Sequence, residues 1–126
     1  MPLPTTPLTR ALHAALFAAL VVLAVRAGVG DEALFWAALV APDLALIGSF
    51  AGGAGRLSPR AVPRYNAAHA WWGPLAVGAA ALALPPLAPV ALGWALHVSL
   101  DRALGYGLRT PEGLQRHVGA PRWCAA

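Results

Sequence analysis

Charged residues are scarce in this chain, lysine is absent and cysteine occurs once. Charged side chains make up 11% of the 126 residues, whereas hydrophobic residues make up 59% and the mean hydropathy is +0.62. The single cysteine, Cys124, excludes an intrachain disulfide and a metal site built from cysteines. So little charge also excludes the polar surface that a soluble domain of this length needs. The composition therefore predicts one integral membrane domain over residues 1–126.

The positive charge of the chain comes from arginine. Nine arginines against five acidic residues give a formal net charge of +4, a balance that can indicate a nucleic-acid partner. The arginines lie beside apolar segments, however, and do not form a stripe interleaved with aromatic residues. This placement is typical of anchoring at lipid headgroups. We therefore expect a lipid bilayer, and no nucleic acid, as the partner.

Four apolar segments are long enough to cross a bilayer, since roughly eighteen residues at about 1.5 Å each span a core of about 30 Å. They are residues 8–25, 32–50, 64–84 and 87–104, and an irregular polar tail is expected over 105–126. Pro42 should kink the second segment, and Gly73 with Pro74 should interrupt the third. A signal peptide is the alternative for the first segment, but no clean small-x-small cleavage site accompanies it. The pattern predicts an all-α fold, a four-helix transmembrane bundle.

The distribution of arginines predicts the orientation of the bundle. One side of the membrane would carry Arg10, Arg56, Arg60, Arg64, Arg102, Arg109, Arg116 and Arg122, and the other side only Arg26. By the positive-inside rule, both termini are then cytoplasmic in a multi-pass protein of the inner (plasma) membrane. The odd segments leave the cytoplasm and the even segments return. Early residues of the odd segments therefore share a depth with late residues of the even ones.

Polar side chains that hydrocarbon should reject fall at this shared depth, near the cytoplasmic leaflet. They are His13, Asp43, Asn66, His69, His97 and Asp101. His97 and Asp101 are spaced i, i+4, and Asn66 and His69 are spaced i, i+3, so each pair lies on one helix face. Together with Asp43, these groups offer the nitrogen and oxygen ligands of Zn²⁺ or a similar divalent ion. Hydrogen-bonded contacts between membrane helices and a proton or ion path are the competing interpretations.

Three blocks of sequence around these polar residues resemble the signature blocks of the DUF4260 family, a family of small bacterial integral membrane proteins of unknown function. The blocks are residues 41–44, 65–69 and 97–108, and the resemblance extends to residues 117–119. The chain departs from the family pattern in the first segment, where it has His13 in place of a glutamate, and in its longer loop over residues 52–64. The resemblance implies a membrane fold and a role for the block residues, and it implies no chemistry.

The leading functional hypothesis is a metal-assisted hydrolase of a lipid or amphiphilic substrate. In this hypothesis the metal ligands are His69, His97 and Asp101, while Asp43 acts as general base or fourth ligand and Asn66 orients the substrate. The side chains expected to meet a phosphate or carboxylate headgroup at the membrane surface are Arg102 and Tyr106.

Other functions fit the same residues. One alternative is a small homodimeric transporter or proton-coupled channel, in which the histidines and aspartates relay protons or bind a cation. Because four short helices leave little room for a path through one chain, that alternative requires a homodimer. Another alternative is a noncatalytic membrane scaffold. His117 is expected either to fold back as a further metal ligand or to lie in solvent.

Overall fold

The computed structural model describes residues 7–51 and 55–117, and most of these are helical, as the sequence predicts. The α-helices are α1 (Pro7–Ala27), α2 (Ala33–Val40), α3 (Val62–Ala68), α4 (Trp72–Ala81) and α5 (Ala88–Leu104). Short 3-10 helices occupy Val29–Asp31, Ala41–Leu46 and Pro85–Leu87, and two strands, β1 (Tyr106–Arg109) and β2 (Gln115–His117), follow α5. Residues 118–126, which include Arg122, Cys124 and the end of the predicted tail, lie outside the described residues.

Helix α1 has the length and hydropathy of a membrane-crossing segment. It contains 21 residues, and its side chains are mostly exposed, with Ala24 buried. Within residues 7–51 and 55–117 it is the one helix that is both long and apolar enough to cross a membrane. The predicted first segment therefore has its helix, whereas the helices of the other three predicted segments are shorter than a full crossing.

The second predicted segment changes helix type at Pro42 and ends early. A proline lacks the N–H of an α-helical hydrogen bond and clashes with the preceding turn, so α2 gives way to the 3-10 helix Ala41–Leu46, in which Pro42 occupies the first turn. The chain then leaves the helix at Ile47 and turns at Gly48, whose φ is 66°. The prediction of a kinked helix up to residue 50 is therefore wrong in its last four residues.

The third predicted segment is divided into two helices, and the break lies one turn earlier than predicted. Helix α3 ends at Ala68, with His69 as its C-cap. Gly73 and Pro74 lie in the first turn of α4, where a proline's missing N–H removes no helical bond. Gly73 is required at its position because a Cβ atom there would overlap the ring of Trp94.

Helix α5 is the centre of the fold and packs against α1, α2 and α4. It approaches α2 closely at Gly93, where a Cβ atom would overlap the carbonyl oxygen of Phe35. The largest apolar cluster forms around this contact and includes Ala24, Phe35 and Leu96. This packing fixes α5, which carries two of the predicted metal ligands, against the end of α2.

The tail after α5 is not irregular, as the sequence had indicated, but begins with an antiparallel hairpin. Gly105, with a φ of 102°, ends α5 in the left-handed conformation that suits glycine. Strand β1 then pairs with β2 in the register Tyr106 to His117 and Arg109 to Gln115. The hairpin is joined to the loop before α3 by a hydrogen bond from the Leu57 N–H to the Gly113 carbonyl.

The surface of the described residues is unusually apolar, and several polar groups are inside. The exposed large apolar side chains include Leu12, Val22, Val25, Leu34, Val40, Leu44, Ile47, Leu75, Leu82 and Leu104. The buried polar and charged residues are Ser49, His69, His97, Ser99, Arg102 and Thr110. The apolar surface exceeds what is usual for a soluble domain, where exposed apolar patches are limited, and a buried charge such as Arg102 is rare.

Candidate metal centre

His97 projects from α5 with one ring nitrogen bound and the other buried. Its Nδ1 lies 2.8 Å from the carbonyl oxygen of Leu39, near the end of α2. The change to 3-10 pairing at Pro42 frees carbonyl groups that α-helical pairing would use, and His97 takes one of them. A carbonyl only accepts, so Nδ1 carries the proton and the lone pair of a neutral ring is on Nε2. Nε2 is buried and has no hydrogen-bond partner among the described residues.

His69 is held in the same way at the end of α3. Its Nδ1 lies 2.8 Å from the carbonyl oxygen of Tyr65, one helical turn earlier. The imidazole is fully buried and stacks on the Tyr65 ring, with the ring centres 3.9 Å apart and the planes at 19°. This arrangement again places the proton on Nδ1 and the lone pair on Nε2. The rings of His69 and His97 are 5.1 Å apart, centre to centre.

Two carboxylates face both Nε2 atoms. The Oδ1 atom of Asp43 lies 3.4 Å from Nε2 of His69 and 3.6 Å from Nε2 of His97. The Oδ2 atom of Asp101 lies 3.8 Å and 3.6 Å from the same two nitrogens. The Asp101 side chain is 19% exposed and that of Asp43 is 55% exposed, so the cluster opens to its surroundings on the Asp43 side.

The cluster therefore draws on three separate parts of the chain: the 3-10 helix after α2, the end of α3 and the last turns of α5. One ligand atom each from Asp43, His69 and His97 lies within 4.8 Å of the others, and this group could hold a metal ion. The structure thus brings together four of the polar residues singled out in the sequence. The i, i+4 spacing places His97 and Asp101 on one face of α5, and the break after Ala68 directs His69 toward them.

Asn66 makes a different contact from the one predicted. Its Nδ2 donates to the Arg109 carbonyl at 3.0 Å, and its Oδ1 accepts from the Arg109 N–H at 2.7 Å. The amide therefore pairs with β1 as a neighbouring strand would, and it holds the hairpin on α3. In this position it is occupied by backbone groups, which leaves the substrate-orienting role without a structural basis.

Arg102 is placed differently from the prediction, whereas Tyr106 is not. Arg102 is buried, and its guanidinium donates to the carbonyls of His69 and Tyr106. The Tyr106 side chain is exposed. A buried guanidinium that is bound to two carbonyls gives no support to the predicted headgroup contact of Arg102, and that of Tyr106 stays a prediction.

The other two histidines, His13 and His117, are not part of the described cluster. His13 is half-buried on α1, where its Nδ1 contacts the Thr9 carbonyl at 2.8 Å and its ring faces Trp71. The backbone of His117 lies in β2, and its side chain lies outside the described structure. Sequence reasoning missed Tyr65, which supplies both the carbonyl and the stacking ring for His69. Its position one helical turn before His69 was the available signal.

Comparison with protein-family models matches residues 7–120 to a family described as "Domain of unknown function (DUF4260)". The chain belongs to the DUF4260 family. The matched region includes every residue of the cluster, so in this DUF4260 chain the cluster is part of the family domain. Comparisons with curated proteins and with solved structures give no match.

Proposed function

We propose that this chain is an integral membrane protein that holds a divalent metal ion, Zn²⁺ in the first instance, and uses it to hydrolyse a lipid or amphiphilic substrate. The ligands are His69, His97 and Asp101, and Asp43 is the general base on the open side. One observation carries the proposal: backbone carbonyls hold both imidazoles with Nδ1 protonated, so that each Nε2 faces both carboxylates.

The distances in the cluster favour a shared cation over direct hydrogen bonds. With Nδ1 protonated, each neutral ring presents a lone pair to carboxylate oxygens that also carry lone pairs, which is repulsive. Protonated rings would form charge-assisted bonds of about 2.7–2.9 Å, whereas the four nitrogen–oxygen distances are 3.4–3.8 Å. Two ligands that each lie about 2.0–2.2 Å from a tetrahedral zinc ion are roughly 3.3–3.6 Å apart. The Asp101 Oδ2 atom lies 3.8 and 3.6 Å from the Nε2 atoms of His69 and His97, close to that spacing.

The environment of the cluster also suits a divalent ion. Imidazole nitrogen and carboxylate oxygen are ordinary zinc ligands, and ligating histidines usually donate their other ring N–H to a carbonyl or carboxylate. His69 and His97 both make that second contact, to the Tyr65 and Leu39 carbonyls. Two carboxylates balance the charge of the ion, which matters in an apolar interior where an unpaired charge is costly.

Membrane insertion is proposed for all four helical segments, with both termini cytoplasmic in the inner membrane. Helix α1 supports it by its length and hydropathy. The other segments support it by exposed apolar side chains, such as Leu34 on α2, Leu75 on α4 and Leu104 on α5. Segments shorter than the bilayer core are accommodated by local thinning of the bilayer. In this arrangement the helices bury His69 and His97, while the Asp43 side of the cluster stays open.

The open side of the cluster suits hydrolysis of an amphiphile. A bound divalent ion supplies Lewis acidity toward a water molecule and a carbonyl or phosphoryl oxygen. Asp43 accepts a proton from the water as its oxygen bonds to the substrate carbon or phosphorus. The bond to the leaving oxygen then breaks, and Asp43 returns the proton to that oxygen. The exposed apolar side chains of Val40, Leu44 and Ile47 border Asp43 along the chain and would contact an acyl chain.

Asp43→Asn tests this role, because the amide keeps the size of the side chain and loses the basic oxygen. In zinc-loaded protein assayed in vesicles against ester and phosphoester amphiphiles, we expect kcat to fall about 10²- to 10⁴-fold, the usual contribution of a general base. Asp31→Asn is the matched control, since Asp31 is an exposed acid outside the cluster. Undiminished kcat in Asp43→Asn contradicts the proposal. Absence of turnover by the wild type, with zinc uptake into the vesicles, would favour the transporter instead.

A further inference from the structure

We propose that Arg102 is a positioning residue of the metal centre, which sets the place of His69 relative to the ligands on α5. This inference rests on the proposed metal site. It gives a role to the burial of Arg102, which a headgroup contact would not require. Arg102 contacts neither the ion nor a substrate in this account. It acts through the backbone of a ligand.

The hydrogen bond from Arg102 to the His69 carbonyl joins the end of α3 to α5, the helix that carries His97 and Asp101. His69 is the C-cap of α3, with φ of −105° and ψ of 9°, so its carbonyl points beyond the helix. Nη2 of Arg102 donates to that carbonyl at 2.6 Å, and Nη1 donates to the Tyr106 carbonyl at 2.9 Å. Arg102 follows Asp101 directly in α5. One side chain therefore ties the His69 backbone to the helix of His97 and Asp101.

The other described hydrogen bonds of His69 do not replace this tie to α5. Its backbone N–H and its Nδ1 both bond to the Tyr65 carbonyl within α3, and its Nε2 faces the two carboxylates. The stacked Tyr65 ring belongs to α3 as well. The Trp94 indole N–H, also from α5, donates to the Ala68 carbonyl at 2.7 Å and holds the end of α3 one residue before the ligand. If the contact from Arg102 were lost, the His69 peptide beyond that point could turn relative to α5. A buried carbonyl would also lose its donor.

Arginine suits this position better than lysine. A guanidinium is planar and presents several N–H groups in a fixed fork, whereas an ammonium group is a single compact charge on a flexible stem. The two carbonyls bound by Arg102 come from different elements, the end of α3 and the start of β1. Lysine in the same place keeps the charge and reaches one carbonyl well, so Arg102→Lys separates the geometry of the fork from the charge.

The test uses Co²⁺ as the probe, because its visible bands report the geometry of the ligands. Arg102→Lys and Arg102→Gln are compared with Arg10→Lys. Arg10 is a matched control: it donates to the carbonyls of Ala103 and Leu104 at the same end of α5, at 3.2 and 3.3 Å, and touches no proposed ligand. Each purified protein is titrated with Co²⁺ by visible absorption, and its helix content is measured by circular dichroism.

We expect Arg102→Lys to weaken Co²⁺ binding about 10- to 100-fold, the usual effect of a change around metal ligands, and to shift the visible bands at unchanged helix content. Arg102→Gln should weaken binding further, and Arg10→Lys should match the wild type.

Wild-type affinity and bands in a folded Arg102→Lys protein would overturn the positioning role and leave the metal centre standing. Equal losses of binding and helix content in Arg102→Lys and Arg10→Lys would also overturn it. A wild type that binds no Co²⁺ would overturn the metal centre and this role together.

Discussion

His97→Ala is expected to abolish stoichiometric metal binding, and Asp101→Ala is expected to do the same. Wild-type protein should hold about one zinc ion per chain, as expected for a site with three or four protein ligands. Removal of His97 takes away one of the two imidazoles and frees the Leu39 carbonyl. The loss of affinity should exceed the roughly 10- to 100-fold effect of changes outside the ligand set. The measurement is metal analysis of purified protein after dialysis against dilute zinc.

His13→Ala is the matched control for this experiment. His13 is a half-buried histidine whose ring nitrogen contacts a carbonyl of its own helix, and it lies outside the proposed ligand set. We expect its alanine variant to retain the wild-type zinc content. If His97→Ala and His13→Ala hold equal amounts of zinc while both are folded, the proposed ligands are wrong. If the wild type holds no zinc and both His97→Ala and Asp101→Ala fail to fold, the noncatalytic membrane scaffold is favoured instead.

Removal of the metal ion is expected to lower the stability of the fold substantially. The site exists only in the folded chain, so zinc at about 100 times its dissociation constant should stabilise the chain by about 2.7 kcal/mol. Without the ion, the lone pairs of two imidazoles and two carboxylates face one another across 3.4–3.8 Å. Addition of a chelator should therefore lower Tm, and added zinc should restore it. Thermal unfolding of purified protein with and without chelator measures the effect.

His97→Ala again supplies the control for the stability measurement. Because it lacks the site, its Tm should be lower than that of the zinc-bound wild type and insensitive to the chelator. An equal fall in Tm of the wild type and of His97→Ala on chelation would show that the chelator acts elsewhere. A wild type whose Tm ignores both chelator and zinc would contradict a bound ion that stabilises the fold.

Much of the cluster could be predicted from the sequence because helix geometry determines it. The i, i+4 spacing of His97 and Asp101 fixes them on one face of any helix. The arginine distribution predicted that His69 and Asp43 lie at the same depth as that face, which stays a prediction. The structure brings their polar atoms within 3.4 to 3.8 Å of the partners on the other segments. The four long apolar segments likewise predicted the helical character of the chain, which the structure confirms.

The rest depends on contacts between distant parts of the chain. Strands β1 and β2 have four and three residues, too few for a period-two pattern, so the hairpin could not be seen in the sequence. Without the hairpin, the pairing of Asn66 with Arg109 and the burial of Arg102 could not be foreseen either. The early break after Ala68 was hidden because Gly73 and Pro74 are the stronger helix-breaking signal, although a proline also fits the first turn of a helix.

Zinc K-edge X-ray absorption of the purified, zinc-loaded protein tests the central claim most directly, because it reports the atoms around the ion. We expect a first shell of nitrogen and oxygen at about 2.0–2.1 Å, with outer-shell scattering from two imidazole rings that falls to one ring or disappears in His69→Ala. A first shell without imidazole scattering, or a spectrum unchanged in His69→Ala, would contradict the proposal that His69 and His97 hold the ion.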